Sequence, residues 1–410
     1  MLARAPATQE AYLEGVLNTA REAINDGVVA ATLKERRTHW HHWKTWLSLN
    51  QPSLDPYLHR NRNSKQRISR PEQIAILEAY CCHVQFKGNI GGTDTVCAST
   101  VSLALQSIAS KCQLDARFNI VGGKENKYPK SIQQMLEGFE RKDPPSQPRL
   151  AIPLSVIKHL QIQAKASTSQ KKKSIADLCT IAFYYLLRVG EYTYKSPSRK
   201  SRTIAFRVSD VCFWENDRIL PLLLSKRQLL KRATSCTLTI DNQKNGGRAA
   251  SVTQDRIPND PTCPVVATIN RVKHTLNHLP ANSQWLAKLP LGMYFKHPGS
   301  KGLQPMASAI NTAIKQAVVE LGLDKKGLTP DLVSSHSLRA GGAMAMHLNG
   351  VSPITIQKMG QWSSTTWLDY IHVQLSCFGK GVSKKMSQAH TFRNIAYCPA
   401  GNVRFSAGAA

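Results

Sequence analysis

The sequence predicts two domains, an all-helical basic module and then a larger α+β domain. Three observations carry that reading. The chain has 410 residues, and at roughly 150 residues per domain it is long for a single one. Apolar periodicity is helical through the N-terminal third and gives way to short β-prone runs beyond residue 210. Between them, Lys142-Asp143-Pro144-Pro145-Ser146-Gln147-Pro148-Arg149 places three prolines in five positions, the composition of an extended linker. The hydrophobic fraction of 42% is ordinary for a globular chain and excludes a wholly disordered protein, a collagen and a coiled-coil rod.

Thr32 followed by Glu35 has the pattern of a capping box. It predicts a helix that turns Leu33, Trp40, Trp43, Trp46 and Leu47 to one side and Lys34, Arg36, Arg37, His39 and Lys44 to the other. Further helices are expected from about Pro71 to Val84 and from about Asp94 to Ser110. Between the first two lie Arg60, Arg62, Lys65, Arg67 and Arg70 with no acid among them, a candidate phosphate-contacting loop. Past the linker, a helix near Leu154 to Ala164 leads into a basic run, Lys171 to Lys173, and then a buried helix from Ile175 to Leu187. Val211 to Phe213 reads as a strand. Thr237 to Ile240 and Ala250 to Val252 flank Asn245-Gly246-Gly247, the signature of a hairpin. From Cys263 onward the pattern is helical again.

Composition narrows the function. Fifty-four Lys and Arg against 26 Asp and Glu leave a net charge of +28, which speaks about partners rather than fold. Nucleic acid is the commonest polyanion. A membrane surface is the rival, but no basic amphipathic helix or lipidation motif supports it. The longest apolar run, Ile181 to Leu187, is far short of the about 20 residues of a membrane span, and the first 20 residues do not read as a secretory signal. The ten cysteines form no CxxC pair, so no zinc ribbon is expected and reduced, buried thiols are. His39, His41 and His42 lack further ligands at suitable spacing, so no metal and no cofactor is expected.

The sharpest segment is Ser334-Ser335-His336-Ser337-Leu338-Arg339-Ala340-Gly341-Gly342. A serine cap followed by His and Arg three apart puts imidazole and guanidinium on one face of a helix's first turn. Free amides there already attract an anion, so the two side chains complete a phosphate site. Gly341 and Gly342 permit a close approach by another backbone. Gly350 ends that helix and Ser352-Pro353 starts the next. Gly360-Gln361-Trp362-Ser363-Ser364 breaks it, and a further helix carries Trp367, Leu368, Tyr370 and Ile371. Upstream, Phe183 to Leu187 closes an apolar helix at Arg188 and Glu191.

In this order, Arg188, Lys244, His336, Arg339, Trp362 and Tyr370, the chain resembles the tyrosine recombinase (phage integrase) family. "LLRVGE", "HSLRAGG", "GQWSS" and "LDYIH" match four of its blocks in sequence order, and "QKNGG" looks like its lysine turn. The texture of "SHSLRAGGAMAM" is similar to recombinases of eukaryotic mobile elements (Cryptons, DIRS-type). The resemblance implies a helical core-binding domain over residues 1–143, a linker at 144–148, a catalytic domain at 149–385, mostly helical with a small antiparallel sheet, and a tail at 386–410. It departs from the commonest pattern in two places. Trp362 stands where a second histidine is more frequent, and the basic stretch Arg218 to Arg232 leaves Lys226 and Lys231 beside Lys244 as alternatives for the lysine.

The chemistry implied is strand cleavage without metal or ATP. Tyr370 attacks the scissile phosphate and forms a 3′-phosphotyrosine. Arg188 and Arg339 clamp the phosphate, His336 is general base, Trp362 a second donor, Lys244 the acid for the leaving 5′-oxygen, and Glu191 an orienter of Arg188 or His336. The implied function is site-specific recombination for integration or excision of a mobile element. The implied partner is double-stranded DNA, bound by a dimer on each site and a tetramer in synapsis. The implied location is intracellular and DNA-associated, nuclear in a eukaryotic host. Two rival readings use the same residues: a type IB topoisomerase-like strand transferase, and a catalytically inactive DNA-binding protein derived from a recombinase.

Overall fold

The computed structural model describes residues 9–28, 30–87, 95–116, 119–120, 128–144, 149–194, 205–240, 250–278, 289–362 and 364–368. The chain divides into two compact units, with the boundary between Ser146 and Gln147.

The first unit is helical: α1 Gln9–Asp26, α2 Ala30–Asn50, α3 Arg70–Lys87, α4 Ala98–Ala116 and α5 Lys130–Lys142. Its core follows the tryptophan spacing of α2. Trp43, Trp46 and Leu47 are buried, joined by Leu77 and Tyr80 from α3 and by Leu105 and Ile108 from α4. Trp43 stacks on Trp46 at 5.7 Å and meets the edge of Tyr80 at 5.0 Å, contacts worth about 0.5–1.5 kcal/mol each beyond their area. The Trp43 indole N–H donates to the Pro56 carbonyl at 2.8 Å, so its burial leaves no orphaned donor. The expected cap does not hold: α2 already begins at Ala30, so Thr32 lies inside the helix.

The second unit surrounds one helix. Its elements are α6 Leu154–Ala166, α7 Gln170–Tyr184, α8 Val189–Tyr192, β1 Val211–Glu215, β2 Arg218–Leu220, α9 Lys226–Arg232, β3 Ser235–Ile240, β4 Ala250–Asp255, α10 Pro264–Asn277, α11 Ala307–Glu320, α12 His336–Leu348 and α13 Pro353–Gly360. Helix α7 is buried on every side from Ser174 to Phe183, as a helix apolar all round must be. Helices α6, α10, α11 and α12 pack around it. The basic run Lys171 to Lys173 forms its first turn rather than preceding it, and Ser169 caps it by accepting from the Lys172 N–H.

The four strands form an antiparallel sheet in the order β2-β1-β3-β4. β3 and β4 pair from Ser235↔Asp255 to Ile240↔Ala250, as the hairpin reading requires. The basic stretch after β1 folds into β2 and α9, two elements that its lack of apolar alternation concealed. Tyr185, just past α7, donates its hydroxyl to the Cys236 carbonyl on β3 at 2.7 Å, fixing the helix end against the sheet.

Candidate active site

Three chain segments meet at one place: the end of α7 with α8, the start of α12, and the turn after α13. The first carries Arg188. Helix α7 stops at Tyr185, and Leu186 then takes a left-handed conformation with φ +53. Arg188 is the extended N-cap of α8. Glu191, 2% exposed, closes a capping box. Its Oε2 accepts the Arg188 backbone N–H at 2.7 Å, and its Oε1 accepts Arg188 Nη1 at 3.3 Å. One carboxylate therefore fixes both the backbone and the side chain of Arg188.

The second segment is the start of α12. Ser335 is the N-cap by position, yet the hydroxyl that accepts the His336 N–H belongs to Ser334, at 3.3 Å. Asn311 Oδ1 accepts the Ser335 N–H at 2.6 Å, and the buried Tyr192 of α8 donates to the Ser335 carbonyl at 3.5 Å. His336 opens the helix and Arg339 follows three residues on, 3% exposed. The packed surroundings of the His336 ring, and then the charges of Arg339 and Arg188, hold its pKa below the usual imidazole range.

Arg339 reaches its place because α12 lies against α7 at unusually short range. A Cβ on Gly342 would stand 2.1 Å from the Phe183 carbonyl oxygen, and one on Gly341 would stand 2.3 Å from that of Ile152. Only hydrogen fits at either position. The Arg339 guanidinium then donates through Nη1 to the Leu186 carbonyl and through Nη2 to the Gly360 carbonyl.

The third segment is the turn Gly360-Gln361-Trp362. Ser352 caps α13 and Pro353 occupies its first turn, as the sequence predicts. Gln361 ends it in a left-handed conformation, φ 53 and ψ 45. The Gln361 carbonyl accepts Arg188 Nη2 at 3.5 Å, and the Trp362 ring lies 4.2 Å from the Arg339 guanidinium carbon, within cation–π range. Gly360 leaves room for that indole, since a Cβ there would fall 1.7 Å from the ring. Both arginines are therefore anchored on one three-residue turn.

The structure brings together Arg188, Glu191, His336, Arg339 and Trp362. Lys244 and Tyr370 lie outside the described residues. Lys226 lines a cavity toward the opposite end of α7, among residues that include none of these five. The Trp362 ring face lies over the Arg339 guanidinium. Sequence reasoning missed Leu186 and Gln361, whose carbonyl-bearing turns orient the arginines. A left-handed residue is foreshadowed in sequence mainly by Gly or Asn, and these are neither.

In the first unit, Arg60, Arg62, Lys65 and Arg67 are exposed on a loop closed by a bridge between Arg60 and Arg67. Arg70 differs. It begins α3, is half-buried, and donates Nη1 to the Ile120 carbonyl at 2.6 Å and to Gln73 at 3.2 Å. Its guanidinium braces the helical unit from within.

Among the described residues no group of His, Cys, Asp and Glu could hold a metal ion, and no described helix is long and apolar enough to cross a membrane. No family model and no curated protein matches the chain. Among solved structures, the chain is similar to the Tn1549 transposon integrase in complex with transposon right end DNA, at 10% identity and a TM-score of 0.43, covering 83% of this chain and 99% of that one. It is similar to the XerH site-specific recombinase bound to palindromic difH substrate, at 13% identity and TM-score 0.43, covering 77% and 72%. It is also similar to the XerA recombinase, at 14% identity and TM-score 0.33, covering 89% and 95%. The solved structures it is similar to here are thus an integrase and two recombinases.

Proposed function

We propose that the chain is a tyrosine recombinase that cuts and rejoins DNA strands through a 3′-phosphotyrosine. The observation that carries this is the convergence of Arg188 and Arg339 on a single turn, close enough to His336 that both charges act on its imidazole. A phosphodiester in its transition state spreads negative charge over the non-bridging oxygens, and fixed cations must meet it. Arg188 and Arg339 supply that charge in this reading.

In this reading a neutral His336 takes the proton of the attacking phenol, whose pKa near 10 makes it a poor nucleophile on its own. Tyr370 follows Leu368 by two residues and forms the bond to phosphorus. The 5′-oxygen leaves with a proton from Lys244. The phosphotyrosyl bond conserves the energy of the broken diester, so rejoining needs no ATP. The exposed cations Arg60, Arg62, Lys65 and Arg67 contact DNA phosphates. The active assembly is a dimer on each site and a tetramer in synapsis, acting in integration or excision of a mobile element.

The test is covalent capture. The protein is incubated with a library of nicked duplexes of random sequence, and SDS-resistant adducts are recovered and sequenced. Wild type is expected to give an adduct and Tyr370→Phe none, while both shift DNA equally in a gel. An adduct retained by the Phe variant would place the nucleophile elsewhere, with Tyr397 the next tyrosine to replace. Relaxation of supercoiled plasmid at any sequence, with no second duplex required, would favour a topoisomerase.

A further inference from the structure

The first turn of α7 carries a second concentration of charge, apart from Arg188. Helix α7 is 15 residues long, about 22 Å at 1.5 Å per residue, and Arg188 lies just beyond its other end. Here Lys165 of α6, Lys173 of α7, Lys226 of α9, and Arg271 and Lys273 of α10 line one cavity of about 560 Å3. Asp177 is the carboxylate among them. Its Oδ2 accepts Arg271 Nε at 2.8 Å, and its Oδ1 accepts from Gln161 at 3.4 Å and Asn270 at 3.5 Å. The cavity therefore holds five cations against one acid whose acceptors are already engaged.

Arg271 is the informative residue. It is 2% exposed, and its Nη1 is buried with no hydrogen-bond partner among the described residues. Tying α7 to α10 requires only the bond from Nε to Asp177. A buried guanidinium donor beyond that is one that native structures rarely leave unused. The surrounding field acts on His274, whose pKa falls to about 4, first through burial and then through Arg271, His278, Lys226 and Lys173. Crowded like charges around a guanidinium with one donor unused make a site complementary to a compact, multiply charged anion. The volume suits a small-molecule ligand.

We propose that this cavity binds a small anion bearing two or three phosphate groups, gripped by Arg271, Lys173 and Lys226. Arg271 takes one phosphate through Nη1 while Nε stays on Asp177, and the lysines meet the others as point charges. The site is independent of the strand-transfer chemistry and stands whether or not that reading holds.

Calorimetric titration of inorganic pyrophosphate into the full chain at 0.15 M salt tests this. The expected result is saturable binding, one per chain, with sulfate at matched ionic strength binding at least tenfold more weakly. Replacing Arg271 could unfold the protein by stranding Asp177, so the variants are Lys173→Gln and Lys165→Gln. Loss of one charge-assisted contact should weaken pyrophosphate about tenfold in Lys173→Gln, with the melting temperature of the free variant unchanged. Lys165→Gln, at the rim, should weaken it less. Equal affinity for sulfate, equal binding by Lys173→Gln and wild type, or displacement of pyrophosphate by short duplex DNA would overturn the proposal.

Discussion

Arg188 shows how much a single buried carboxylate can do. Glu191 accepts both the backbone N–H and the side chain of the same arginine, so it sets where the guanidinium can point. Glu191→Gln is nearly isosteric and can keep the backbone bond of the capping box while losing the charge. Breaking a buried pair costs about 3–5 kcal/mol; with the Arg188 side chain 23% exposed, solvent should reduce this to about 1–2 kcal/mol. The expected outcome is a modest fall in melting temperature, unchanged DNA affinity and roughly a 100-fold slower cleavage step, the scale of a misplaced catalytic group. Equal cleavage rates would make Glu191 a structural cap alone. Residue identities at this site were legible because arginine, histidine and the glycine pair stand in recognisable strings. The conformations of Leu186 and Gln361 were not, because both sit left-handed without being Gly or Asn, a strain of order 1–3 kcal/mol that the surroundings must offset. The carbonyls of Leu186 and of Gly360 beside Gln361 both hold Arg339.

Between elements, the contact that matters is α12 on α7. Gly342→Ala gains about 1 kcal/mol of helix propensity, yet its Cβ would meet the Phe183 backbone carbonyl at 2.1 Å. A backbone oxygen cannot rotate away as a side chain can. The overpacking cost of about 1–3 kcal/mol should win, and α12 should move off α7, carrying Arg339 from the Leu186 carbonyl. The measurable result is a lower melting temperature together with lost cleavage, whereas Gly138→Ala, with nothing within 4 Å of its Cβ, should stabilise slightly. A Gly342→Ala protein as stable as wild type would show that the two helices can separate freely. Helix starts and stops here were readable at Ser352, Pro353 and Gly350, which act on their own neighbours. β2 and α9 were not, since three- and seven-residue elements carry too little periodicity.

At the scale of the whole molecule, a net charge of +28 makes salt the decisive variable. If the exposed loop of the first unit meets phosphates, replacing Arg62, Lys65 and Arg67 together with Ala should flatten the slope of log K against log salt by up to about 2.7, roughly 0.9 per contact. Adding Arg70→Ala should instead lower thermal stability, because that side chain holds the Ile120 carbonyl. An unchanged slope in the triple variant would leave the loop as solvated surface. The sequence by itself determined the two-part organisation, the helical and hairpin segments, the basic character and the order of the candidate catalytic residues. These follow from local capping, periodicity and composition, each of which acts within a few residues. Only the tertiary structure decided that Glu191 faces Arg188 rather than His336, that the Trp362 ring covers Arg339, and that Arg271 is buried with a donor unused. The physical reason is separation along the chain. Arg188 and Gln361 stand 173 positions apart, and what joins them is a helix contact whose glycines the sequence shows but whose partner it does not, together with two left-handed turns at residues that are neither Gly nor Asn.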